Sequence, residues 1–177
     1  GTTSGASLGT CTLLGYYDVN TNTTLPYGIK TPDTYTVDKI TAITTTAGKE
    51  AVTLQGAGAL QNNATTDVIN VYDGAAVKDY VAVAKLGTGA SAMYTITKLD
   101  KVTGKPTAIS TSAVAPSVTV GGKAYSVVAN YSDVGFNVTG DASVALGALS
   151  YSNEYDLYLD AAGKVAMIHG VAAATDV

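Results

Sequence analysis

Lys39-Ile-Thr-Ala-Ile43 recurs as Lys105-Pro-Thr-Ala-Ile109, and Val52-Thr-Leu54 recurs as Val118-Thr-Val120, both at an offset of 66 residues. Recurrence of two segments at one offset marks a structural unit used twice in series. Thr, Val and Ile branch at Cβ and favour the extended backbone, so the unit reads as β. Outward from this pair, strand-like runs separated by turn residues cover 13–17, 34–37, 39–45, 51–55, 68–72, 80–85, 93–99, 107–110, 117–120, 124–129, 134–138, 155–159 and 164–169. Period-two alternation is clearest in Asp79-Tyr-Val-Ala-Val-Ala-Lys85. Short strands at this spacing predict an all-β chain, folded as two small related β-barrel or β-sandwich domains in tandem. Little or no helix is expected, because the one helical candidate, 143–149, is short and interrupted by Gly147.

Residues 1–12 are mostly small and polar and read as an N-terminal arm or linker. Tyr17-Asp18 is echoed by Tyr72-Asp73, which puts a boundary near residue 67. The expected organisation is a shorter first β-domain over 13–66, its copy of the repeat stopping near Gly56, and a fuller second one over 67–177. Gly-Lys dipeptides at Gly48, Gly104, Gly122 and Gly163 read as hairpin tips, and Asp160-Ala-Ala-Gly163 has Asp and Gly where a type I turn favours them.

Composition bounds the function. Of 177 residues 46% are hydrophobic, enough for a core, but Trp is missing and Phe136 is the one phenylalanine. Only 14% are charged, arginine is missing and the net charge is −4, which excludes a phosphate-neutralising basic surface and hence nucleic acid as a partner. Thr, Ser and Asn supply the polar surface, as in secreted or cell-surface proteins. Cys11 is the single cysteine, so no intrachain disulfide or Cys-based zinc site can form. No apolar run approaches the roughly 18 residues of a membrane span. The chain starts at Gly1 without initiator methionine or signal peptide, as a processed or excised segment would.

Catalytic motifs fail on context. Gly5-Ala-Ser7-Leu-Gly9 has the form of a nucleophile elbow, and Ser7, Asp156 or Asp160, and His169 follow hydrolase triad order. Such an elbow needs a strand before it and a helix after it, which the flanking sequence does not offer. No Gly-Lys pair sits in a phosphate loop, and Gly56-Ala-Gly58 and Gly87-Thr-Gly89 lack the third glycine of a dinucleotide fingerprint. Asp18-Val-Asn20-Thr-Asn22 begins like a calcium loop, but Thr23 replaces the required Gly and Ile29 the bidentate Glu. A looser calcium site could draw on Asp133, Asp141, Asp156 and Asp160. Sequons stand at Asn22, Asn63, Asn130 and Asn137. Tyrosines such as Tyr16, Tyr17, Tyr125, Tyr155 and Tyr158 could present a sugar-stacking platform. No catalytic, cofactor-binding or metal-binding residue is assigned, and no cofactor is expected.

Val71-Tyr-Asp-Gly-Ala-Ala-Val-Lys-Asp-Tyr-Val-Ala-Val, Val102-Thr-Gly-Lys-Pro-Thr-Ala-Ile109, Val118-Thr-Val-Gly-Gly-Lys-Ala-Tyr125 and Tyr155-Asp-Leu-Tyr-Leu-Asp-Ala-Ala-Gly-Lys-Val165 together resemble the β-rich regions of bacterial surface-layer proteins that carry S-layer homology domains. The resemblance covers roughly 67–170, with a shorter echo over 13–56, and the three-helix S-layer homology anchor itself is missing. It implies a non-enzymatic structural subunit or module of an extracellular, cell-surface assembly, layer or filament, self-associating through β edges and the N-terminal arm. The partners expected are further copies of itself and cell-wall or surface glycans. The alternative is a cell-surface adhesin or carbohydrate-binding module.

Overall fold

A computed structural model describes residues 12–18, 23–30, 35–46, 49–61, 68–86, 93–129, 131 and 141–172. Ser7, Cys11, Asn22, Asn63, Asn130, Asn137, Asp133 and the expected strand 134–138 lie outside the described residues, as does nearly all of the expected arm. The protein is all-β: fourteen strands run through the described residues, with a single 3-10 turn at Leu146–Ala148 inside the helical candidate. β1 (Thr12–Asp18) and β2 (Thr23–Lys30) form an antiparallel hairpin. A six-stranded sheet has the order β5-β4-β3-β7-β8-β6. It is built from β3 (Thr36–Thr46), β4 (Lys49–Leu54), β5 (Gly58–Gln61), β6 (Val68–Val71), β7 (Tyr80–Leu86) and β8 (Met93–Lys98). Two three-stranded sheets follow, β14-β13-β9 and β10-β11-β12, from β9 (Asp100–Gly104), β10 (Pro106–Ser110), β11 (Ser117–Val120), β12 (Lys123–Ser126), β13 (Tyr155–Leu159) and β14 (Val165–Gly170). These sheets are open, with no closed barrel among the described residues.

The repeat is structural and includes its irregularities. In β3 and β4, Ile40 pairs with Leu54 and Ile43 with Val52, with a register shift between Ile40 and Ala42. In β10 and β11, Pro106 pairs with Val120 and Ile109 with Val118, with the same shift between Pro106 and Ala108. At each bulge the skipped threonine closes the gap: Thr41 Oγ1 donates to the Thr53 carbonyl at 3.2 Å and Thr107 Oγ1 to the Thr119 carbonyl at 3.4 Å. The correspondence extends further. Asp38 pairs with Val81 as Gly104 pairs with Tyr155, so β7 and β13 are counterparts. Val83 pairs with Ile96 as Leu157 pairs with Ile168, which makes β8 the counterpart of β14. β6 lies parallel to β8, and the second copy keeps one parallel bridge to β14, Val127 to Val165.

Each copy therefore buries the same core. Ile40, Val52, Leu54, Ile69, Val81, Val83 and Ile96 pack together in the first. Val118, Val120, Val127, Tyr155, Leu157 and Ile168 do so in the second, and Pro106, buried too, stands where Ile40 does. A fully buried Val, Leu or Ile stabilises by about 1.5–3 kcal/mol, so these side chains dominate the energetics of each half.

The sheet pairing corrects two expectations about domain extent. The boundary near residue 67 falls inside the six-stranded sheet, because β3 from before it pairs with β7 from after it. The first copy also continues past Gly56 through β7 and β8, so the copies meet at Leu99, between β8 and β9. The runs 34–37 and 39–45 fuse into the single strand β3, whereas its counterpart is split at Lys105 into β9 and β10. The cause is Pro106. Ile40 N–H donates to the Asp79 carbonyl at 3.0 Å, and a proline in the equivalent position has no N–H to give. Gly104 thus marks a strand break and not a hairpin tip, while Gly122 and Gly163 do occupy turns, at φ 80° and 78°.

Asp38 and Gly104 show how the copies diverged. The β4–β5 loop is three residues long, and buried Asp38 satisfies it by accepting from the amides of Gly56 at 2.8 Å and Ala57 at 2.9 Å. The β11–β12 loop is the two-residue Gly121-Gly122 turn with both φ positive, which needs no such carboxylate. Gly104 occupies the vacated position, and a Cβ there would come within 2.5 Å of Val120 Cγ1. Gly104→Ala is therefore expected to destabilise by about 1–3 kcal/mol through overpacking. Gly104→Ala combined with Val120→Ala should lose less than the sum of the two single changes, as read from urea melts.

Candidate functional site

β7 and β13, with β3 and β14, bring one polar cluster to the seam between the copies. Strand alternation sends Val81 and Val83 into the first core and Tyr80, Ala82 and Ala84 to the opposite face. On β13, Tyr155, Leu157 and Leu159 face the second core while Tyr158 faces the seam. Tyr35, Val37, Ala82, Ala84, Leu99, Val128, Ala166 and Met167 form a third buried cluster there, drawn from both copies.

Asp141 is the hub of the polar cluster. Its carboxylate accepts from Lys39 Nζ at 3.2 Å and from the Tyr80 hydroxyl at 2.8 and 3.0 Å. His169 Nε2 lies 3.4 Å from Asp141 Oδ1 and 3.2 Å from its backbone carbonyl. The side chains of Lys39, Asp141 and His169 are only 25%, 18% and 15% exposed, so the pairing is less screened than on an open surface. The rings complete the enclosure: Tyr80 lies 4.9 Å from Tyr158 and 5.1 Å from His169, and Lys39 sits 5.1 Å over the Tyr80 ring. The chain segment bearing Asp141 is itself tied to β14, with Ser143 Oγ accepting from Ile168 N–H and Val144 N–H donating to the Ile168 carbonyl. The Tyr131 hydroxyl bonds Ser143 Oγ at 2.6 Å.

Elsewhere across the seam, the Tyr35 hydroxyl donates to Asp160 Oδ2 at 2.9 Å. The other oxygen of Asp160 accepts from the amides of Ala162 and Lys164, so this buried carboxylate holds the β13–β14 turn and the first copy together. Asp156 bonds Thr103. Of the aspartates of the looser calcium site, Asp141, Asp156 and Asp160 are therefore engaged separately, and among the described residues no three His, Cys, Asp or Glu side chains converge on a metal position. His169 is turned to Asp141, although Asp156 lies directly opposite it in the ladder. Of the tyrosines proposed as a platform, Tyr125 and Tyr155 are buried in the second core, while Tyr158 lines a cleft at the seam. The side chains of Tyr16 and Tyr17 lie outside the described residues.

No protein family, curated protein or solved structure matches this chain. What the cluster can do follows from its own geometry. Asp141 is saturated by donors, and the one hydroxyl on it, from Tyr80, is held as a donor. Burial and Asp141 both raise the Tyr80 ionisation above its ordinary range. A hydroxyl held in this way keeps its proton at neutral pH. Sequence reasoning singled out His169 and Asp141 only for other roles and gave Lys39 none beyond the repeat. A charged residue alternating with Val37 on a β-rich stretch was the available signal.

Two outcomes follow. Asp141→Ala leaves Lys39 without its counter-charge in a half-buried seam and should lower stability by about 2 kcal/mol in urea melts, reduced from the fully buried case by the residual exposure. Burial, joined at Tyr158 by Asp156 and Asp141, pushes the Tyr131 and Tyr158 hydroxyls up to about 12, against 10.0 for a free tyrosine. Raised values mean the folded state holds these protons more tightly than the unfolded one. Their contribution is complete below pH 10 and is lost as pH rises toward 12, so the melting temperature should fall across that window, less steeply in Tyr158→Phe.

Proposed function

We propose that this chain is a non-enzymatic structural module of an extracellular cell-surface assembly. The observation that carries this proposal is the third buried cluster, in which residues of both copies pack as one core. Joining two copies through a shared apolar core and two polar bridges, Lys39–Asp141 and Tyr35–Asp160, builds a stiff body of fixed shape. A spacer or tile needs that property. A chain with 14% charged residues, no arginine and abundant Thr, Ser and Asn suits an extracellular surface, and its likeness to surface-layer β regions points the same way.

Open sheets supply the means of association. β5 and β6 are the edge strands of the six-stranded sheet and β12 ends a three-stranded one, so each offers one side for strand addition by another copy. Self-association through these edges and the N-terminal arm would build a layer or filament, with surface glycans as secondary partners. Negative-stain electron microscopy of the purified chain at high concentration should show sheets or filaments. A sample that stays monomeric by light scattering under the same conditions would count against self-assembly.

A further inference from the structure

A cleft of about 390 Å³ opens at the seam beside the polar cluster, lined by Lys78, Lys98, Lys101, Tyr80 and Tyr158 together with Asp79 and Asp100. Three of the chain's ten lysines thus meet at one concavity. Lys78 and Lys101 make no ion pair among the described residues. Lys98 reaches only Asp79, at 3.7 Å, and stays 56% exposed. Asp79 is already engaged, accepting from the Tyr72 hydroxyl and the Ala76 amide. Three lysines against two aspartates leave the cleft positive in a chain whose net charge is −4.

Two further observations mark the cleft as more than a solvated face. Lys78 is the one non-glycine among the described residues with positive φ, at 78°. That conformation disfavours a lysine by about 1–2 kcal/mol relative to glycine, and backbone strain of this kind collects at binding sites. Tyr158 directs a half-buried ring into the cleft, and its hydroxyl has no hydrogen-bond partner among the described residues. Lys101 stands directly opposite it in the β9–β13 ladder. Both residues are specific to this copy, since the equivalent positions in the first hold Tyr35 and Ala84.

We infer that this cleft binds a carboxylate-bearing sugar residue of an acidic glycan. The lysines supply charge-assisted hydrogen bonds to the carboxylate, Tyr158 a hydroxyl donor and an aromatic wall for a sugar ring, and the volume lies within the range of small-ligand sites. An acidic peptide would satisfy the lysines but leave the aromatic wall unexplained. None of its residues lies on β5, β6 or β12, the edges proposed for self-association.

The test is an NMR titration of the full chain with a tetrasaccharide of alternating glucuronate and N-acetylglucosamine. Cellotetraose, tetraglutamate and inorganic phosphate serve as parallel arms. Saturable shifts of the Leu99, Lys101 and Tyr158 amides with the acidic tetrasaccharide, weakening as salt is raised, are expected. Lys78→Gly should weaken binding about tenfold, the equivalent of one charge-assisted hydrogen bond, without lowering the melting temperature, because glycine adopts the positive φ freely. No saturable shift would overturn the inference. So would an equal response to cellotetraose, tetraglutamate or phosphate, or an affinity unchanged in both Lys78→Gly and Lys101→Ala.

Discussion

β7 is covered on both faces, and the rest of the molecule is arranged around that constraint. Val81 and Val83 fill the first core while Ala82 and Ala84 fill the seam. Alanine is what the seam side requires, because its short side chain lets β7 pack close to Ala166 and Met167 of β14. A strand buried on both faces must have its backbone donors paired on both edges, and β3 and β8 provide this. The first copy therefore could not have ended at Gly56, since that would leave Val81, Val83 and Ile96 without the sheet they belong to.

The polar bridges act on a different scale from the cores. Partly exposed ion pairs add modestly to stability, because desolvation offsets much of their attraction. Their larger effect is on specificity. Lys39, Tyr80, Asp141 and His169 satisfy one another only when the copies meet in one register, whereas an apolar seam of Ala, Val and Met tolerates small slips. Asp160 does the same at a second point by accepting from Tyr35 and from its own turn at once.

The all-β class and the twofold repetition were legible because Thr/Val/Ile strand pairs recur at a fixed offset and alternate in burial. Even the turn at Asp160-Ala-Ala-Gly163 could be read from residue types, and Gly163 N–H does donate to the Asp160 carbonyl. Short strands escaped for local reasons. β5 (GALQ) starts at a glycine and carries a glutamine, β9 (DKVTG) is mostly polar, and β2 holds Pro26 and Gly28, so none shows a clean hydrophobic alternation. The seam was not legible at all. Lys39 and Asp141 are 102 residues apart, and nothing local to either announces a partner. Lys78 looked like any charged turn residue, and only its dihedral angle sets it apart.

Pro106 has a mechanical consequence. In the first copy β3 is one strand of eleven residues, hydrogen-bonded to β7 over its first half and to β4 over its second, so a single backbone joins the two sides of a six-stranded sheet. In the second copy the same path is interrupted at Lys105, and the two three-stranded sheets are tied to each other by the Val127–Val165 bridge and by the apolar core they share. Two halves of common design thus differ in what carries their continuity: one unbroken strand links β4 to β7 in the first, whereas side-chain packing and an isolated bridge take over that task in the second.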